Sequence, residues 1–337
     1  MFLSWNIDTI VYGAIKYRVE LLSLLILKKE LALSFCIIVL VLNFLYYVNK
    51  KSKLPDTNKW TPINEKDVAL VTGGSRGLGK DIVNTLIEMN IGKVIIIDLI
   101  DPETRGDKIE YYNCDVGDYK DLNSKLDHII QRERISILVN NAAQRHSESL
   151  LHLLDDKVKD LFNVNTFAQI WILRKILKNH IYNVLQDVPN AKLSVVSVSS
   201  ILGILAPKNL SIYSASKAAL IQIHEALVEE MKEFSTVRFL SVVTGQLNTE
   251  MFQDVDPSRK FFAPILDSSD LAKMICDKVS SGEIGTLSAP LYAKFLPVIK
   301  VFPFLLQSLC RRFSKMDEKI IDRTNSFEAL TEYEIVY

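Results

Sequence analysis

VALVTGGSRGLGKDI, residues 68–82, is an apolar run, a glycine turn and the start of a helical pattern, in that order. A short run rich in Val and Leu fits a strand buried on both faces. Gly73, Gly77 and Gly79 space the turn as TGxxxGxG. That lets backbone N–H groups approach a phosphate, whose charge then meets the N-terminus of the next helix. Thr72, Ser75, Arg76 and Leu78 complete the turn. A glycine pattern alone is weak evidence. Here Asp98, twenty-five residues after Gly73, closes a second apolar run, KVIIID (93–98). A carboxylate in that place can accept bonds from a ribose, so the pattern points to a dinucleotide.

Outward from this unit the chain alternates. Further strand-like runs are EYYNCDV (110–116), ISILVN (135–140), KLSVVSVS (192–199) and VRFLSVV (237–243). Helical patterns at 78–90, 118–131, 155–184, 213–233 and 268–280 fall between them. The alternation predicts an α/β fold, a Rossmann-type doubly wound parallel sheet. No internal repeat or low-complexity tract interrupts it.

LSIYSASKAAL (210–220) carries the chemistry. Tyr213 and Lys217 are four apart at a helix start, so they share a face. A tyrosine is a poor base, with a reference pKa of about 10. A neighbouring ammonium and an oxidised nicotinamide stabilise its phenolate and bring it into use near neutral pH. Thirteen residues earlier, Ser200 ends the fifth strand pattern, where its hydroxyl can bond a substrate oxygen.

With these residues in place, the chain resembles the short-chain dehydrogenase/reductase superfamily over roughly residues 65–290. The resemblance rests on TGGSRGLG from Thr72, NNAA at Asn140–Ala143, Asn165 in VNTF, Ser200, and YSASK at 213–217. It implies Tyr213 as general acid/base, with Lys217 lowering its pKa and holding the nicotinamide ribose. It implies that Ser200 polarises the substrate oxygen and that Asn165 supports a proton-relay water. Asp115 and Val116 match the adenine contact, Asn141 and Ala142 the stretch beside the cofactor, and Thr249 the threonine near the carboxamide or phosphates. Two positions depart from the pattern: Ala143 replaces a usual glycine and Thr244 a usual proline. Neither removes a reacting group.

Asp98 would repel a 2′-phosphate and favours NAD(H). Arg76 is the kind of residue that grips that phosphate, and it keeps NADP(H) open.

The remaining features concern placement. LALSFCIIVLVLNFLYYV (31–48) has no charge in eighteen positions. As a helix it spans about 27 Å at about 1.5 Å per residue, close to a hydrocarbon core of about 30 Å. Lys28–Lys29 precede it, NKKSK follows, and Tyr46 and Tyr47 lie near the boundary, as an anchor requires. The run starts too far from Met1, and lacks the small-residue site, for a cleaved signal. Upstream, IVYGAIKYRVELLSLLIL (10–27) is apolar but broken by charges; interfacial and hairpin arrangements both fit it. Residues 1–53 are thus a membrane-associated segment, 54–64 a linker, 65–285 the catalytic domain and 286–337 an apolar, membrane-interfacial segment and tail.

The sole sequon, Asn209-Leu210-Ser211, lies four residues before Tyr213, where a glycan would obstruct the site. That favours a catalytic domain in the cytosol, on the endoplasmic reticulum or a lipid droplet. The net charge of zero argues against nucleic acid as a partner. Four scattered cysteines and five histidines show no ligand spacing, so no metal is expected.

The layout resembles the membrane-bound retinol dehydrogenase and 17β-hydroxysteroid dehydrogenase-like branch. That implies a hydrophobic small-molecule alcohol as substrate, membrane lipid as surroundings and, as one role for the C-terminal segment, a homodimer contact. Two other readings stand beside it: an NADPH-dependent ketolipid reductase, and a non-catalytic membrane scaffold that retains the fold.

Overall fold

The structure is a computed structural model, and it describes residues 29–54, 60–255, 260 and 262–320. The apolar stretch at 10–27 and the end of the tail, 321–337, lie outside the described residues.

Seven parallel strands form one sheet in the order β3-β2-β1-β4-β5-β6-β7. They are β1 (Val68–Thr72), β2 (Lys93–Asp98), β3 (Ile109–Asn113), β4 (Ile137–Asn140), β5 (Leu193–Ser200), β6 (Val237–Thr244) and β7 (Gly285–Ala289). The doubly wound expectation holds. Strand residues alternate between two apolar layers, as a period of two demands. Ile96 joins Val71, Ile82, Leu86 and Ile275 on one face. Ile95 and Ile97 join Leu70, Leu126 and Ile172 on the other. Each such side chain contributes roughly 1.5–3 kcal/mol by leaving water. The first face is covered by α2 (Gly77–Glu88) and a later helix at Ser268–Ser280, which pack against each other. The second is covered by α3 (Tyr119–Arg132) and by α4 (Ala168–Asn179), which also pack together. The N-cap of α3 is Asp118, which accepts from Lys120 N at 2.9 Å.

The order reverses between β1 and β4. A crevice therefore opens at their carboxyl ends, where ligands of such sheets bind. The turn after β1 and the Asn141–Ala142 stretch after β4 both lead into it.

Several boundaries differ from the sequence expectation. The third strand stops at Asn113 rather than running to residue 116. The helix expected at 155–184 is interrupted by π turns at Asn163–Phe167 and His180–Val184. The sheet continues past residue 285, because β7 pairs with β6 through Thr244↔Ala289. Its sequence, GTLSA, has too few large apolar residues to read as a buried strand; as the edge strand it needs fewer.

The apolar N-terminal stretch is a helix, α1 (Lys29–Lys53). Among the described residues it is the one helix long and apolar enough to cross a membrane, and none of that window is buried. Its last residue meets the domain: the Lys53 carbonyl accepts from Ile284 N at 2.9 Å and from Arg238 Nη2 at 3.1 Å. Part of the expected linker is docked too. Trp60 Nε1 donates to the Ser280 carbonyl at 3.2 Å, and its ring lies where a side chain on Gly282 would have to go.

Beyond β7, a short helix at Phe304–Ser314 presents Phe304, Leu305 and Leu309 to solvent. Its other side reaches the loop after β5. Arg311 Nη2 donates to the Ala206 carbonyl at 2.9 Å, and Asn209 Nδ2 donates to the Ile320 carbonyl at 2.9 Å. Ile320 is buried in the same apolar cluster as Tyr213 and Leu202.

Candidate active site

A cleft of about 1000 Å³ runs along the carboxyl ends of the strands. Its lining brings together Gly73, Ser75, Arg76, Gly77, Leu78, Asp98, Asp115, Val116, Asn141, Ala142, Ser200, Tyr213, Lys217 and Thr249. Ala143 and Thr244, the two departures from the family pattern, also face it. Thr72, Gly79 and Asn165 do not line it; each acts one layer back.

The turn is shaped by close approach. Thr72 Oγ1 accepts from the N–H groups of Asn141 and Ala142, both at 3.1 Å, tying β1 to the end of β4. A Cβ on Gly79 would collide with the Gly73 carbonyl oxygen, and one on Gly73 would lie 2.9 Å from Ala142 Cα. Gly73 also has φ +65°, which a side chain disfavours. Asn141 Nδ2 donates to the carbonyls of Thr72 and Gly73 at 3.2 and 3.0 Å, holding the turn open toward the cleft. Thr249 closes the opposite side, 3.3 Å from where a Cβ on Gly77 would sit.

At one end of the cleft Asp98 accepts from Ser75 N at 3.0 Å and from Ile100 N at 3.2 Å. The carboxylate is thus fixed at the tip of β2. Arg76 pairs with Glu250 across the opening, Nη1 to Oε2 3.4 Å, with both side chains mostly in solvent.

At the other end lie Ser200, Tyr213 and Lys217. The helix that carries Tyr213 and Lys217, α5 (Ser211–Glu230), begins two residues before Tyr213. Tyr213 is 4% exposed and Lys217 2%. Lys217 Nζ donates to the Val198 carbonyl at 3.1 Å and lies 6.0 Å from the Tyr213 ring centre. Ser200 Oγ accepts from Leu202 N at 3.1 Å, which fixes its position at the end of β5. Burial pushes the Tyr213 hydroxyl up to about 12, against a hydrogen bond from Ser200 and the positive charge of Arg145. Burial also pulls Lys217 down to about 8. Both shifts come from removing charge from water, so a phenolate and an ammonium formed together relieve each other.

Asn165 sits inside the first π turn and is fully buried. Its Oδ1 accepts from Gln144 N at 2.8 Å, and its Nδ2 donates to the Gln144 carbonyl at 2.9 Å and to Ser216 Oγ at 3.0 Å. Ser216 Oγ in turn donates to the Tyr213 carbonyl at 2.7 Å. The side chain therefore ties the loop after β4 to the helix of Tyr213, and its amide is engaged in doing so. A π turn at such a place is a common functional device.

Sequence reasoning missed Gln144 and Arg145; Phe252 lies in the loop at 250–267 that it assigned to substrate choice. Arg145 Cζ lies 4.4 Å from the centre of the Phe252 ring, and Phe252 meets Tyr213 edge-on at 5.9 Å. Arg145 followed NNAA in the sequence as an ordinary loop cation, with nothing local to mark its burial.

The residues fit a nicotinamide dinucleotide. A ribose-facing carboxylate, a close-packed turn opening a helix, and a Tyr/Lys pair occur along one cleft, in the order the dinucleotide would need. Among the described residues no cluster suits a metal ion.

The model of the short chain dehydrogenase family matches residues 67–260. "Uncharacterized oxidoreductase TDA5" of Saccharomyces cerevisiae is 31% identical over 312 residues, covering 89% of this chain and 94% of that one. The "NADPH-dependent 1-acyldihydroxyacetone phosphate reductase" of the same organism is 28% identical, covering 55% and 63%. "Epidermal retinol dehydrogenase 2" of Mus musculus is 24% identical, covering 69% and 77%. Among solved structures, a short chain dehydrogenase from Burkholderia cenocepacia in complex with NADP superposes with a TM-score of 0.60 at 22% identity, covering 74% and 98%. The chain belongs to the short-chain dehydrogenase/reductase family and is an NAD(P)-dependent oxidoreductase.

Proposed function

We propose that this short-chain dehydrogenase interconverts a hydrophobic, lipid-like alcohol and its carbonyl at a membrane surface, with Tyr213 as the proton donor and acceptor. The observation that carries the reading is the shared burial of Ser200, Tyr213 and Lys217 at the end of the cleft opposite Asp98. The nicotinamide, when bound, takes up or delivers the hydride. The chain's own residues handle the proton and the oxygen. Ser200 holds the substrate oxygen, and the Tyr213 hydroxyl gives it a proton in reduction or takes one in oxidation. The Lys217 ammonium, held on the Val198 carbonyl, offsets the phenolate charge. Asn165 and Thr72 hold the framework.

The apolar substrate is supported by the lining: Phe252 meets Tyr213 edge-on, Leu247 and Met251 line the same cleft, and Ile320 is buried in the cluster that holds Tyr213 and Phe252. Membrane attachment rests on α1, with a second lipid contact through Phe304, 85% exposed, and Val301, 79% exposed. The Asn209 amide nitrogen donates to the Ile320 carbonyl, a bond that a glycan there would disturb, which supports a cytosolic catalytic domain. NAD(H) is the favoured cofactor: the Asp98 carboxylate at the tip of β2 would repel a 2′-phosphate, and Arg76 pairs with Glu250.

Tyr213→Phe in the full-length enzyme, reconstituted in vesicles, tests the reading. Turnover of alcohols and ketones should fall by about 10²–10⁴, while cofactor binding, followed by tryptophan fluorescence, stays within a few fold. Undiminished turnover would sink the assignment.

A second reading, reduction of a ketolipid, is favoured by the polar group that faces Tyr213 across Phe252.

A further inference from the structure

Arg145 is an unusual occupant of an apolar wall. Its side chain is 5% exposed, and a single nitrogen, Nη2, serves both oxygens of Asp254 at 2.7 and 2.8 Å. The other terminal nitrogen, Nη1, is buried and has no hydrogen-bond partner. The preceding residue repeats the pattern: Gln144 Nε2 is likewise buried without a partner. Both residues line the cleft beside Tyr213. A buried donor left unpaired costs about 1–3 kcal/mol, and more when charged; among the described residues with such atoms, Gln144 and Arg145 are the two that line the cleft, where a ligand can satisfy them.

The kind of ligand follows from what is offered. Both open groups are N–H donors, so the missing partner is an acceptor. Asp254 already balances the guanidinium charge, so the acceptor need carry no charge. Phe252 has the guanidinium carbon over its ring at 4.4 Å and meets Tyr213 edge-on, which places the acceptor one aromatic ring away from the reacting oxygen. The Arg145 charge is also felt at the Tyr213 hydroxyl, which it pulls downward. An alcohol with a single oxygen would leave both donors dry and unpaired.

We propose that Arg145, with Gln144, is a substrate-specificity element that bonds a second, uncharged oxygen of the substrate, the acyl carbonyl of an ester or thioester close to the carbon that is oxidised or reduced. This rests on the alcohol–carbonyl reading above and narrows it: the preferred substrate is an acyl lipid with a nearby hydroxyl or keto group, ahead of an isoprenoid or sterol alcohol. The guanidinium takes no part in the proton transfer.

The test compares two probes on the full-length enzyme: a long-chain methyl ketone, and the β-keto ester of equal chain length. Wild-type enzyme should reduce the keto ester with kcat/KM about 10–100 times that of the methyl ketone, the range expected for a charged hydrogen-bond donor. Arg145→Met should erase that ratio through KM for the keto ester, whatever change in kcat the two probes share through the charge lost near Tyr213. Arg145→Lys, which keeps a donor, should recover part of it. A merely structural latch between Arg145 and Asp254 predicts something else: equal losses on both probes, reproduced by Asp254→Asn. That result overturns the inference, as does wild-type enzyme that reduces the two probes equally, prefers the methyl ketone or reduces neither. Failure of the underlying reading is separate, since it would show as turnover that survives Tyr213→Phe.

Discussion

The two walls of the cleft are built by different means. The cofactor wall is local: Thr72, the glycine turn and Asp98 belong to two neighbouring strands and the helix between them. Its contacts fix main-chain groups with side chains, such as Asp98 on Ser75 N at 3.0 Å and, from the neighbouring β4, Asn141 Nδ2 on the Gly73 carbonyl at 3.0 Å. The substrate wall joins distant segments. Arg145 meets Asp254, 109 residues along the chain, and Asn209 meets Ile320, 111 residues along. A wall made of backbone suits a ligand common to many proteins. A wall made of contacts between distant segments is free to vary, and specificity can change there without disturbing the turn.

Lys217 stands where the walls meet and gives the sharpest test of that division. Lys217→Met should lower turnover by about 10²–10⁴ for any substrate, because no ammonium remains beside the phenolate. The same substitution should stabilise the cofactor-free protein. Burial lowers Lys217 from its ordinary value to about 8, so the folded state sheds a proton that the unfolded chain retains up to its higher pKa. Wild-type stability therefore rises with pH from about 8 towards the unfolded lysine value, and below about 8 the full penalty remains. Removing the charge should recover about 2–3 kcal/mol at neutral pH, less the bond lost at the Val198 carbonyl. The gain should fade above pH 8. Denaturant unfolding of both proteins across that range checks it; a variant less stable than wild type at pH 7 would contradict the burial argument.

Asp98→Ala probes the cofactor wall alone. With the carboxylate gone, a 2′-phosphate no longer meets a like charge, a juxtaposition that costs several kcal/mol in full contact. The ratio of kcat/KM for NADPH over NADH should rise by about ten- to a hundredfold. The preference between the two ketone probes should not move. A change in substrate preference would show that the walls are coupled.

The same division explains what the sequence reveals. The turn, Asp98, Ser200, Tyr213 and Lys217 are legible because each lies at a strand end or a helix start, where spacing and local periodicity position it. The six other strand runs are legible for the same reason. GTLSA, at 285–289, is not, since an edge strand carries no dense apolar signature. The π turn around Asn165 is hidden because its sequence, NVNTF, continues a helical pattern. The interruption comes from the side chain's bonds to Gln144 and Ser216, which are tertiary. Arg145 is hidden most completely. Its burial depends on Phe252 and Asp254, and no window short enough for periodicity contains all three.

Arg76 gives the smallest effect and the finest test of the cofactor wall. In the sequence it competes with Asp98, because a cation beside the second glycine can hold a 2′-phosphate. In the structure it reaches across to Glu250, with 60% of its side chain and 74% of its partner's exposed. Such a pair is worth about 0–1 kcal/mol and is screened by salt. Arg76→Ala should therefore change stability by less than about 1 kcal/mol and the KM for NADH by no more than about twofold. Its effect on NADPH depends on Asp98: while the carboxylate stays, Arg76 has little phosphate to hold. In the Asp98→Ala background the same substitution should remove most of the gained NADPH activity. Steady-state kinetics on the four proteins of that cycle measures the coupling directly. Additive effects would mean that Arg76 and Asp98 do not read the same part of the ribose.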